Sequence, residues 1–211
     1  MIRLDDDFDP ELPDILPQPD EEDEQTEAKP EPKRPLLERM LETRTITIFG
    51  EIDMKMAQDV AQKLLVLDGE SHEPIKIFIN SPGGHVESGD TIFDMIRFVK
   101  SPVQIVGTGW VASAGALIYA AAERENRFSL PNTRFLLHQP MGGVRGQAAD
   151  IAIEAEEILK MRQRLNEIFA RQTGQPLEKV EKDTDRNYWM TAAEAQTYGL
   201  VGQIIQSADE I

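Results

Sequence analysis

"IKIFINSPGGHVESGDTIFDMIRFV", residues 75–99, decides the fold of this chain. Its first five residues read as a short strand, and the stretch from about Glu87 to Val99 reads as a helix. Ser-Pro-Gly-Gly turns the one into the other, because proline and glycine break a regular element while allowing unusual backbone angles. Upstream, "TITIF" (45–49) is a second strand, followed by an amphipathic helix over about 54–68. Downstream come the strand "VQIVG" (103–107), the apolar run "GWVASAGALIYAAA" (109–122) with a helix expected over Ala114–Ala122, and strand signals in "RFSL" (127–130) and "RFLL" (134–137). Alternation of this kind implies right-handed crossovers and a mostly parallel sheet, an α/β fold.

Beyond these, residues from about 148 to 172 are helix formers, with Ile151, Ile158 and Leu165 at seven-residue intervals and Glu156–Lys160 at i,i+4. Such a helix suits packing on its own sheet or projection against a copy of itself. Thr191-Ala-Ala-Glu194 has the form of a capping box, opening a short helix that Gly199 ends, and "VGQII" follows as a last strand.

The 211 residues suffice for one sizeable domain. Net charge is −16, of which residues 1–34 carry −9 and hold thirteen acidic against four basic residues. Seven of the thirteen prolines fall in 1–35, so 1–34 is expected to be a disordered acidic tail ahead of a folded domain at 35–211. The acidic balance argues against nucleic acid as a partner, because that binding is driven by Lys and Arg neutralising phosphates. There is no cysteine, hence no disulfide, thiol nucleophile or zinc ribbon. With neither a signal-peptide pattern nor an apolar run long enough to span a bilayer, the chain is expected to be soluble and cytoplasmic. The P-loop pattern is absent, so any ATP dependence belongs to a partner. Three scattered histidines predict no metal site.

Chemistry is expected in the loops after the strands. Exposed amides of the Gly83–Gly84 turn, beside a helix start, suit a developing negative charge. Ser113 stands among small neighbours, where a peptide backbone could approach its hydroxyl; it reads either as a helix N-cap or as a nucleophile. His138, at the end of an apolar strand, is the best-placed general base, with His85 as the alternative.

"INSPGG", "VASAGA", "LPNTRFLLHQPMGG…GQAADI", "LN…TGQP" and "DTDR…MTAAEA…YGLV" together resemble the proteolytic subunit family of the ATP-dependent Clp protease, over about 44–205. The resemblance implies a serine endopeptidase with a fold related to crotonases. It also implies two stacked seven-membered rings around a chamber, fed with unfolded proteins by a Clp-type AAA+ unfoldase. A handle at about 139–172 would interlock the rings. By position, Ser113 matches the nucleophile and His138 the base. Gly84 and Ala114 match the oxyanion-hole amides. Gly83, Gly142 and Gly143 match substrate-binding backbone, and Asp185 and Arg186 a ring contact. No cofactor is implied.

Three departures stand out. Ala114 replaces the usual Met. Asn187 occupies the usual position of the third triad member, an Asp, although some members of the family carry Asn. The apolar N-terminal segment of the family is not recognisable. Asn can accept the His Nδ1–H bond but cannot neutralise the imidazolium. A second reading therefore stays open: a catalytically weak structural or regulatory subunit that assembles with an active paralogue.

Overall fold

The computed structural model describes residues 35–143 and 145–211; the acidic stretch 1–34 lies outside the described residues. Strands β1 (Thr45–Phe49), β2 (Ile75–Ser81), β3 (Val103–Ala112), β4 (Arg127–Ser129) and β7 (Gln203–Ile204) lie side by side in that order and pair in parallel. β5 (Arg134–Leu137) also pairs with β3 in parallel, and β6 (Tyr188–Thr191) pairs with β5 antiparallel. A mostly parallel sheet is therefore observed, with one antiparallel edge that the spacing of apolar residues did not announce.

Helices cover the sheet because their apolar residues recur at helical spacing. On α2 (Met54–Glu70) Ala57, Val60, Leu64 and Leu67 are buried, and Asp53 caps the start by accepting from the Met56 amide at 2.7 Å. On α3 (Val86–Phe98) Ile92, Phe93 and Ile96 face the same core. They meet Ile46, Ile48, Ile75, Ile77, Ile79 and Ile105, all fully or almost fully buried. Each such side chain contributes roughly 1.5–3 kcal/mol relative to exposure.

Other elements are α1 (Leu36–Glu42), α4 (Ala114–Tyr119), α5 (Ala148–Thr173), α6 (Leu177–Thr184) and α7 (Ala192–Tyr198). α4 is three residues shorter than expected. Ala120, Ala121 and Ala122 are as buried as the helix itself, so an unbroken apolar run carries no signal of where the helix stops. The capping box of α7 is formed in both directions between Thr191 and Glu194, and Gly199 ends the helix at φ +93°.

β3 runs five residues beyond the expected strand, and this positions the site. Its first half pairs with β4 (Ile105 opposite Arg127) and its second half with β5 (Trp110 opposite Arg134). The switch occurs at Gly109, at φ +62°, where a Cβ would come within 2.9 Å of the Asn80 side chain. Only glycine adopts that conformation at such close quarters without strain.

Candidate active site

β2 ends in a loop whose backbone is already committed. The Gly83 amide donates to Ser81 Oγ at 3.1 Å, the Ile52 amide to the Gly83 carbonyl at 2.9 Å, and the His85 amide to the Ile52 carbonyl at 2.8 Å. The Gly84 N–H donates to no protein group among the described residues. Both glycines have positive φ, +99° and +149°. A Cβ on Gly84 would lie 2.3 Å from the Ile52 carbonyl oxygen, and one on Gly83 would lie 2.6 Å from Ser113 Cβ and 3.1 Å from Ser113 Oγ. The glycine pair thus lets one strand end press directly against the serine.

Ser113 follows β3 immediately and has φ +57°, ψ −122°. A side-chain-bearing residue held there costs about 1–3 kcal/mol, which the surrounding hydrogen bonds must offset. The Ser113 amide donates to the Leu136 carbonyl at 3.0 Å, and the Ser113 carbonyl accepts from Ala116 and Leu117. Although Ser113 sits at the N-cap position of α4, its hydroxyl makes no capping bond. The backbone is pinned and the hydroxyl is left over, the arrangement of a nucleophile on a strand-to-helix elbow. The next residue, Ala114, is buried at the first position of α4, where an N–H has no intrahelical partner.

His138 follows β5, and Asn187 precedes β6. In the ladder Leu136 lies opposite Trp189 and Leu137 opposite Tyr188. His138 and Asn187 are the residues immediately beyond that last pair, one on each strand. Because β5 also lies beside β3, with Leu136 opposite Ala112, three neighbouring strands end in Ser113, His138 and Asn187. His138 lines two cavities. The smaller is shared with Ser113, Ala114 and Leu165, and the larger, about 590 Å³, with Asn187, Asp185 and Arg186. No hydrogen bond joins the three side chains among the described residues; apo sites are commonly loose in this way. Burial pushes the His138 imidazole below the usual histidine range, outweighing the opposing effect of a hydrogen bond at Gln139. Burial thus favours the neutral ring, the form that can accept a proton.

Gln139 was not singled out from sequence, yet it holds the two halves of the site together. Its amide donates to the Thr184 carbonyl at 2.7 Å and its side chain to the Asp185 carbonyl at 2.6 Å. Thr184 in turn donates to Asn166 Oδ1 on α5 at 2.8 Å, in a buried position. Asp185 pairs with Arg162 at 3.1 Å, also on α5, while Arg186 is exposed. Nothing in residue spacing links 139, 166 and 184, since only the fold brings them together.

The remaining candidates separate clearly. His85 directs both ring nitrogens to its own helix, Nδ1 at 2.9 Å from Ser88 Oγ and Nε2 at 3.2 Å from Glu87, and it lines neither cavity that His138 lines. Gly142 and Gly143 are exposed in irregular backbone between β5 and α5, where an added Cβ would meet nothing closer than 3.9 Å. Their small size therefore answers no demand of the packing within this chain. Among the described residues no cluster of three or more His, Cys, Asp or Glu could hold a metal ion, and no helix is long and apolar enough to cross a membrane.

Residues 29–208 match the Clp protease family. The chain is 60% identical over 211 residues to the ATP-dependent Clp protease proteolytic subunit 2 of Gluconobacter oxydans, covering 99% of this chain and 92% of that protein. To the proteolytic subunit 3 of Rhizobium etli it is 56% identical, covering 91% and 98%. The structure of ClpP1 from Listeria monocytogenes superposes with a TM-score of 0.76 at 54% identity, over 83% of this chain and 99% of that one.

Proposed function

The chain belongs to the Clp protease family, and from that premise we propose that it is a serine endopeptidase subunit in which Ser113, His138 and Asn187 carry out peptide-bond hydrolysis. What supports the assignment of roles is the convergence of the three residues at the ends of β3, β5 and β6. His138 takes the Ser113 proton as Oγ attacks the scissile carbonyl, then returns it to the leaving amine. The amides of Gly84 and Ala114 receive the oxyanion. Water, activated by the same imidazole, releases the acyl group. The Asn187 carbonyl oxygen accepts from His138 Nδ1–H and keeps Nε2 free to act. Gly83, Gly142 and Gly143 offer backbone to the substrate, and no metal or organic cofactor takes part.

The assembly we propose is a ring oligomer in the cytoplasm, two stacked heptamers closed by handles at about 139–172. Ile151, Ile153 and Leu159 on α5 and Met141 before it are exposed on the single chain, an apolar surface that burial against a facing ring would remove from water. Asp185 and Arg186 lie beside this handle and serve the ring contact. An AAA+ unfoldase supplies unfolded chains and uses the ATP, and 35–211 is the peptidase domain behind an acidic tail.

Covalent labelling tests the reading. Intact mass after exposure to a fluorophosphonate is expected to show one adduct per chain, lost in Ser113→Ala. An assembled protein that takes up no adduct would sink it.

Asn187 favours one second reading, a weakly catalytic subunit working in mixed rings with an active paralogue, because an amide leaves the imidazolium without a counter-charge. Asn187→Asp separates the two. Turnover is expected to rise at least about tenfold, still short of the ~10⁴ by which the opposite change slows trypsin. Unchanged turnover would remove Asn187 from the mechanism.

The acid limb of the labelling rate carries the His138 signature. Only the neutral ring accepts the serine proton, so the rate falls as pH drops through the His138 pKa. Burial lowers that pKa from 6.5. The midpoint of the limb is therefore expected below pH 6.5, measured as labelling rate constants across pH 4.5–8. A midpoint above 6.5 would contradict the desolvated ring.

A further inference from the structure

Each of the three strands that ends in a candidate catalytic residue also contributes one member to a second cluster. Trp110 lies on β3 three residues before Ser113. Arg134 lies on β5 four residues before His138, and Trp189 on β6 two residues after Asn187. The two indole rings are nearly parallel, with an interplanar angle of 6° and centroids 6.4 Å apart. The Arg134 guanidinium stands over the Trp189 ring, 4.3 Å from its centroid. Trp110 is opposite Arg134 in the β3–β5 register, and Trp189 is the diagonal neighbour of Arg134 across β5–β6. Trp110 and Trp189 remain 43% and 36% exposed, so burial alone does not account for their presence.

The mechanical situation of Asn187 explains what such a cluster can do. β6 is four residues long and, among the described residues, pairs only with β5. Asn187 lies one residue past the last ladder pair. Immediately before it, the chain between Thr184 and Tyr188 spans four steps, while the opposing Gln139–Leu137 segment spans two. The ladder register is thus lost within residues 185–187, and the end of a ladder is where a strand opens first. Side chains alternate along a strand, and burial follows suit: Asn187, Trp189 and Thr191 are exposed while Met190 is buried. Trp189 is therefore the nearest side chain on the same face as Asn187, and it is gripped from both other strands.

We propose that Trp189, held by Trp110 and Arg134, is a positioning residue that keeps Asn187 in register with His138. The proposal rests on the reading of Asn187 as the third member of the catalytic group. Stacked aromatic pairs and cation–π contacts at exposed sites are individually modest, and Met190 anchors the other face of β6. Loss of the cluster loosens Asn187 without unfolding the strand.

A double-mutant cycle on the full-length, assembled protein tests this, reading the second-order rate constant of fluorophosphonate labelling. Trp189→Ala is expected to lower the rate about five- to tenfold, and Trp189→Phe, which keeps a stacking ring, to restore it to within about twofold. In an Asn187→Ala background, Trp189→Ala is expected to change the rate by less than about twofold, since a residue acting through Asn187 has nothing left to position. Effects that multiply would overturn the proposal while leaving the Asn187 reading intact. If Asn187→Ala alone left the rate unchanged, that reading would fail and the proposal with it. Should Trp189→Ala not assemble, Arg134→Gln removes the cation and keeps both rings. Its expected slowing, about two- to threefold, must likewise vanish in the Asn187→Ala background.

Discussion

Ser113→Ala is expected to lower peptide turnover by about 10⁶, the scale on which a nucleophilic serine is lost from a protease that uses it, while leaving thermal stability and assembly unchanged. The second half of the expectation is the more discriminating. A serine that capped α4 through its side chain would cost about 1 kcal/mol when replaced by alanine. Here the hydroxyl caps nothing, and the hydrogen bonds that hold the elbow all run through the Ser113 backbone, which alanine keeps. The strain of φ +57° is also the same for either residue. Thermal melts together with hydrolysis of a fluorogenic peptide decide the matter. A variant that melted several degrees lower and kept its turnover would show Ser113 to be a helix cap.

Gly83→Ala is the second large effect. Its Cβ would stand 2.6 Å from Ser113 Cβ and 2.9 Å from the Ala112 carbonyl oxygen, and neither is the free end of a flexible side chain. The conformation itself, φ +99°, disfavours any L side chain. Strain and overpacking together are expected to cost about 2–4 kcal/mol of stability. The relief available, a shift of the serine elbow away from the loop, also moves Oγ away from the Gly83–Gly84 backbone. A misplacement near 1 Å lowers turnover about 10²-fold, and loss of one oxyanion donor another 10²–10³. A fall of about 10⁴ or more is therefore expected. Gly69→Ala serves as the control, since Gly69 is exposed on α2 and an added Cβ meets nothing within 4 Å. It is expected to be neutral or slightly stabilising. Equal behaviour of the two variants would mean that the loop does not press on Ser113.

Much was legible in the linear chain because it is locally encoded. Apolar residues at strand and helix periods marked β1, β2 and β5 and the helices α2, α3 and α5 to within a few residues. The Thr191–Glu194 box marked α7, since both partners of a cap lie within one turn. Residue chemistry singled out Ser113 and His138 as candidates, although a helix cap stayed open for the serine and His85 for the base. β6 was missed, for four residues with burial in the order half-buried, exposed, buried, exposed are too short to carry a period. α6 was passed over as well, where only Val180 and Thr184 are buried.

What the residues could not show was which strand ends meet. Ser113 and Asn187 are brought beside His138 by two ladders, Ala112 opposite Leu136 and Leu137 opposite Tyr188, the second joining residues 51 positions apart. Long-range pairing of this kind is chosen by the whole core, by the bend at Gly109 and by how the helices cover the sheet. The sequence by itself determined an α/β chain with a serine and a histidine after its strands. The tertiary structure alone decided that His85 is engaged by its own helix, that the Ser113 hydroxyl is free of capping, and that Asn187 and His138 line one cavity. Hydrogen bonds within a turn are local, whereas a site that spans three strands exists only when the sheet does.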